Sequence, residues 1–268
     1  MVKVISLFFI TFLFAVRVQA QCPIENTFFE SGEEISYDLY FKYGLLNTKA
    51  GVSSLKTSEV SYNGAPAYKM TLLAKSNGVI NKIFTLSDTL TCYMSKDLIP
   101  LAYMKNAHEG AEHTKENTTY SYKESEVTIK TKLTRNDKLR FDETLYTSSC
   151  IYDMMSVIYY ARTLDFTKMH KGFTTKVVFL SGKNKVNMHI DFQGIEIVKA
   201  NDNKKYNCFK LILKIEDKAF EDKKEAMTVY VTNDNNRLPV RLNSNLKIGS
   251  TSAIMKAYKG NRYDVKSQ

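Results

Sequence analysis

The 268 residues carry 38 Lys and Arg against 28 Asp and Glu, a formal net charge of +10, with 17 Tyr, 15 Phe and no Trp. The basic residues are scattered rather than gathered in a dense run, which argues against nucleic acid as a partner. No repeat, low-complexity tract or Pro/Gly-rich linker divides the chain, so one domain is expected.

Lys3 is followed by the apolar run VISLFFITFLFAV and by VQA, ending on the small residue Ala20. Those are the three regions of a secretory signal peptide, and the run is shorter than the roughly 20 residues a spanning helix needs. The expectation is a signal peptide over 1–20, an exported single β-rich domain over 21–268, and no transmembrane anchor after cleavage. Loss of Lys3 and Arg17 lowers the net charge from +10 to +8. A basic exported surface can meet anionic lipid headgroups or acidic glycans, or simply keep the protein in solution. All four cysteines, Cys22, Cys92, Cys150 and Cys208, follow the leader. In an oxidising compartment four cysteines allow three pairings, and their spacing does not choose among them. No CxxC pair is present for thiol exchange or a zinc ribbon.

From Ile35 onward the dominant period is two. In EISYDLYFKY, Ile35, Tyr37, Leu39, Phe41 and Tyr43 share one face, opposite Ser36, Asp38, Tyr40 and Lys42. AYKMTLLAK, EVTIKTKL, TTKVVFL, YNCFKLILKI and AMTVYVT follow the same alternation, separated by polar turns such as SGKN and TNDNN. About a dozen short strands joined by tight turns predict one antiparallel meander. An open sheet of that size exposes two edges, so it is expected to curl into a barrel or half-barrel, with the apolar face inside and the Lys, Thr and Glu face toward water.

The exception is SSCIYDMMSVIYYARTLDF. At about 100° per residue, Ile151, Met154, Met155, Ile158 and Arg162 fall in one stripe, with Asp153, Ser156 and Tyr160 opposite. This predicts an amphipathic helix over about 150–163, capped by Ser148 or Ser149 and packed on or in the sheet as a plug or a lid. As a lid, it would offer Met155, Ile158, Tyr159 and Arg162 to a ligand, the Arg pairing with an anionic headgroup.

Three separated motifs, GEEISYDLYFKYGLLNTKAG with Gly32, Glu33, Tyr37 and Gly51, DMMSVIYYAR with Asp153, Ser156, Tyr159 and Arg162, and VYVTNDNNRLPVRL with Asp234, Pro239 and Val240, are in order. In these the chain resembles the domain of unknown function 3108 family over about residues 30 to 260. The resemblance implies an exported protein in the periplasm of a Gram-negative bacterium, with a large curled meander sheet and no established enzyme activity. The chain departs from the family in having Met154 where Pro often follows the Asp, and Tyr230 where many relatives have Trp.

Catalytic signatures are missing: there is no GxSxG elbow and no phosphate-cradling glycine loop. HEGAEH, residues 108 to 113, spaces its histidines by five rather than four, which puts them on different helix faces, and Gly110 interrupts a helix. No catalytic residue, metal site or cofactor is assigned. The favoured reading is a non-catalytic protein of the cell envelope that binds a lipid or amphiphilic glycan inside the curled sheet. The alternatives are an envelope assembly or scaffold protein with a filled interior, working with an envelope protein partner, and a hydrolase.

Overall fold

In a computed structural model of the chain, described for residues 22–78, 80–216, 227–245 and 249–268, fifteen strands form one sheet. The signal peptide expected over 1–20 lies outside these residues. The first eight strands are β1 (Glu34–Tyr43), β2 (Leu46–Tyr62), β3 (Ala65–Ser76), β4 (Leu86–Ser95), β5 (Pro100–Glu109), β6 (Glu112–Lys123), β7 (Glu126–Arg135) and β8 (Lys138–Thr147). A four-residue helix, α1 (Ile80–Ile83), stands in the β3–β4 connection. After β8 come the two-residue β9 (Ile151–Tyr152) and a second helix, α2 (Ser156–Arg162). The chain then returns through β10 (Thr174–Ser181), β11 (Asn184–Lys199), β12 (Lys205–Ile215), β13 (Met227–Thr232), β14 (Pro239–Asn245) and β15 (Ser250–Lys259).

The spatial order is β8 through β1, then β15 back through β9, so the first and last long strands join the two meanders. Tyr37 faces Met255 and Leu39 faces Ala253 across that junction. The pairing is antiparallel except for β9, which lies parallel to β10 because the chain crosses from one edge of the sheet to the other at Ser148–Cys150. Strands are longer than the short ones expected: β2 has 17 residues and β11 has 16. Asn63 and Gly64, with φ of 51° and 83°, make the two-residue turn between β2 and β3. Positive φ at both positions suits Asn-Gly and matches the twist of the strands.

The two edges meet without sharing backbone hydrogen bonds. Lys185 Nζ donates to the Tyr146 carbonyl at 2.9 Å, Lys183 pairs with Glu143 at 3.2 Å, and Leu145 and Val178 both pack on the cluster of Tyr120, Val127, Ile129, Ile151 and Leu180. The sheet is thus an unclosed, barrel-like one whose two edges are bridged by side chains. Cys22 is bonded to Cys150, with Cα atoms 5.8 Å apart, while Cys92 and Cys208 are buried free thiols. The bond fastens the segment before β1 to the crossing between the edges.

Because the bond closes a loop with a sequence separation of 128, the double change Cys22→Ser, Cys150→Ser should lower unfolding stability by about 2–5 kcal/mol. Urea unfolding of the variant beside the oxidised protein measures it, and a difference below about 0.5 kcal/mol would contradict the assignment.

Candidate functional site

Helix α2 closes one end of the barrel, and its structure corrects the amphipathic reading. The helix begins at Ser156 rather than near 150, and both faces are buried: Asp153 and Ser156 of the supposedly polar face are 1% and 0% exposed, Ile151, Met155 and Arg162 of the stripe are buried too, and Met154 is the stripe residue that faces outward. Asp153 Oδ1 accepts from the Met155 and Ser156 amides at 2.9 and 2.8 Å, and Ser156 Oγ accepts from the Asp153 amide at 2.8 Å. This reciprocal arrangement caps the helix in place of Ser148 or Ser149. Burial pushes the Asp153 carboxyl up to about 6, against the pull of those amides.

At the other end of α2, Arg162 is fully buried. Its Nη1 and Nη2 donate to the two carboxylate oxygens of Glu33 at 2.6 and 2.8 Å, and Nη2 donates to the Asn236 carbonyl at 2.8 Å. The guanidinium lies over the rings of Phe29 and Tyr159, at 5.1 and 5.7 Å. Tyr159 OH bonds Thr57 Oγ1 at 3.0 Å, and Tyr37 OH donates to the Pro239 carbonyl at 2.9 Å. Asp234 Oδ1 accepts from the Asn236 and Arg237 amides and shapes the loop that presents Asn236. The three motifs of the sequence therefore meet here. Met155 and Tyr159 sit in the larger core cluster with Ile158 packed against it, and Arg162 spends its forked donors on Glu33. An anionic headgroup would have to displace that carboxylate.

The open space lies elsewhere. At the opposite end of β1 a cavity of about 710 Å³ is lined by Leu39, Phe41, Leu86, Met227, Leu242 and Ala253, with Ile80 of α1 and Phe84 just after it completing the wall. Met155, Ile158, Tyr159 and Arg162 do not line it. From Glu33 to Phe41 the strand covers about 25 Å, so the cavity and the buried ion pair occupy opposite halves of the interior. Ala50 and Gly51 make the wall possible: the β1–β2 register shifts between Leu39 and Tyr40, and a Cβ on Gly51 would meet the Lys75 carbonyl at 2.2 Å. Ser76 Oγ donates to Asn81 Oδ1 at 2.6 Å and accepts from the Leu86 amide at 2.8 Å, which ties α1 to β3 and β4.

The interior wall is not uniformly apolar, contrary to expectation. On β10 to β12 it is Val177, Phe179, Met188, Ile190 and Leu211. On β4 to β7 the same inward face carries Asp88, Lys105, Glu116, Thr118 and Thr131, in register with buried Cys92 and Tyr103. Burial, and then the neighbouring Glu109 charge, raise the Asp88 carboxyl to about 6. Glu116 is 8% exposed and burial raises it as well. Sequence reading missed these residues because a Thr-Glu-Thr alternation resembles the wet face of a strand. The two histidines of HEGAEH face each other across the β5–β6 hairpin, ring centroids 3.8 Å apart, and His189 pairs with Glu216 at 2.9 Å. Among the described residues no group of three metal-ligating side chains comes together, and no helix is long and apolar enough to cross a membrane.

The family model for proteins of unknown function DUF3108 matches residues 36–256. No curated protein matches the sequence. Among solved structures, a β-barrel-like protein of the DUF1849 domain from Brucella abortus is similar with a TM-score of 0.57 at 8% identity, covering 87% of this chain and 98% of that one. That likeness is one of fold. A Bacteroides fragilis protein classed as exported with a YmcC-like fold gives a TM-score of 0.36 at 10% identity, covering 89% of this chain and 100% of its own. A Parabacteroides distasonis protein classed as a lipoprotein gives 0.36 at 11% identity over 89% and 100%.

Removing one member of the ion pair strands the other in the core, so Arg162→Met or Glu33→Gln should each lower stability by about 3–5 kcal/mol. The double change Arg162→Met, Glu33→Met should recover most of the loss, a coupling that chemical denaturation of the cycle measures. The pH dependence has a definite sign. Asp153 has a folded pKa near 6 against an ordinary 3.8, so the folded state binds more protons between those values and stability falls as pH rises through that window. Asp153→Asn keeps the Oδ1 cap and cannot ionise. It should flatten the slope between about pH 4 and 6 and gain on the order of 1–3 kcal/mol at pH 7, read from thermal unfolding across pH.

Proposed function

The chain belongs to the family of proteins of unknown function DUF3108, and on the geometry of its interior we propose that it is a non-catalytic cell-envelope protein that holds one apolar or amphiphilic molecule, a lipid or lipid-linked glycan, inside its curled sheet. The observation that carries this reading is the cavity of about 710 Å³ walled by Leu39, Phe41, Leu86, Leu242 and Ala253 under Ile80 and Phe84. That is the size and lining of sites that enclose small molecules. An apolar cavity of this volume is an unfavourable way to fill a core, since its walls lose the contacts a packed interior would give them.

We place the ligand at the α1 end, with Met155, Ile158, Tyr159 and Arg162 serving as the closed floor of the barrel. The disulfide Cys22–Cys150 supports an oxidising compartment. With the leader read from 1–20, the periplasm of a Gram-negative host is the compartment we assign. The scaffold reading draws its support from the α2 end, where the core is filled by the chain's own side chains.

Native mass spectrometry of the secreted protein from its own host, followed by solvent extraction, tests the reading. A reproducible lipid or glycolipid should be released, and Ala253→Phe, which fills the cavity, should abolish it without loss of fold. A protein mass that stays bare after incubation with host envelope extract would contradict it.

A further inference from the structure

We propose that the occupant's polar end is a primary ammonium group received by Asp88, Glu109 and Glu116 on the inner face of β4–β6. This deepens the cavity reading and rests on it. Glu109 is itself part of the cavity lining, beside Leu86, its partner across β4–β5. Asp88 stands two residues further along β4, about 7 Å deeper on the same face, and Glu116 lies opposite Lys105 on the next pair of strands.

The charges on this face are unequal, with Glu109, Glu112 and Arg135 at its solvent-exposed rim and Asp88 and Glu116 further in. Asp88, Glu109, Glu112 and Glu116 come from β4, β5 and β6. Lys105 and Arg135 are the cations among them, and Arg135 is engaged by Glu112 at 3.5 Å. Lys105 leans toward Glu109 at 3.8 Å, beyond hydrogen-bonding distance. Asp88 Oδ1 is a fully buried oxygen with no hydrogen-bond partner. Glu116, only 8% exposed, faces Lys105 across β5–β6, and burial raises its carboxyl against the pull of that charge. Buried acceptors left unmade are costly, and a buried carboxylate most needs a cationic donor. An ammonium supplies three donors and one positive charge. An apolar chain lying among Leu39, Phe41, Leu242 and Ala253 would carry such a group to Glu109 at the cavity wall and on toward Asp88.

The test uses the mature protein and displacement of the neutral dye N-phenyl-1-naphthylamine by three probes below their micellar concentrations: dodecylamine, dodecanoate and dodecyl maltoside. At neutral pH dodecylamine should bind at least about tenfold more tightly than dodecanoate, the size expected of one charge-assisted hydrogen-bond set. The double variant Asp88→Asn, Glu116→Gln neutralises the two inward acids beyond Glu109, and its fold is checked by near-ultraviolet circular dichroism. It should lose that preference about tenfold and keep its affinity for the maltoside. Equal affinities, a preference for dodecanoate, or an amine preference that survives the double variant would overturn the head-group assignment while the cavity reading stands. Failure of the dye and all three probes to bind would remove the cavity reading and this inference together.

Discussion

The fold depends on a buried charge that has to be neutralised. A guanidinium moved from water into an apolar core is costly by several kcal/mol unless its donors are met, and Arg162 can be met in only one way here. Glu33, just before the first strand, takes both forked donors, and the carbonyl of Asn236, in the loop between β13 and β14, takes another. Three segments far apart in the chain are thereby fixed to one point. The planar fork is what allows it: a lysine would reach the carboxylate as a single point charge and could not hold the geometry. With α2 pinned at that end and capped by Asp153 at the other, it closes the barrel as a floor.

The consequence is an interior with two unlike halves. Around α2 the aromatic rings of Phe29, Tyr68 and Tyr159 pack edge to face at 5.0 to 5.3 Å, and the core is dense. Toward α1 the packing opens into the cavity, beside the register shift at Ala50 between β1 and β2. The walls also differ: β10 to β12 are apolar, while β4 to β6 bring carboxylates and threonines inward. Asp88 and Glu116 are the inward acids of that second wall, and burial raises both carboxyls.

Much of the architecture could be read from the residues. The period of two in EISYDLYFKY and its successors reflects a real inside and outside, since Ile35 and Tyr37 are buried. The single return helix and the curling of a large sheet follow from the same pattern. What could not be read depended on contacts between distant strands. The choice of Cys150 for Cys22 follows from the crossing between the two edges, which has no local signal. Asp153 and Ser156 look solvent-facing by helical angle, yet their polar atoms satisfy each other and the helix amides, so they can be buried. The inward carboxylates of β4–β6 were hidden because alternation reports two faces without saying which is wet. The position of Arg162 was legible and its partner was not, for a stripe on a helix does not reveal a carboxylate 129 residues away.

The central claim is that this protein is closed at α2 and receives its ligand at α1. Hydrogen exchange of the mature protein with and without saturating dodecyl maltoside tests it most directly. The account predicts added protection at α1 and in the flanking parts of β1 and β15, around Leu39 to Phe41 and Thr251 to Ala253, with 153–162 unchanged. Protection gained at 153–162 and absent at α1 would contradict it, making the helix a lid and the Arg162–Glu33 pair its latch.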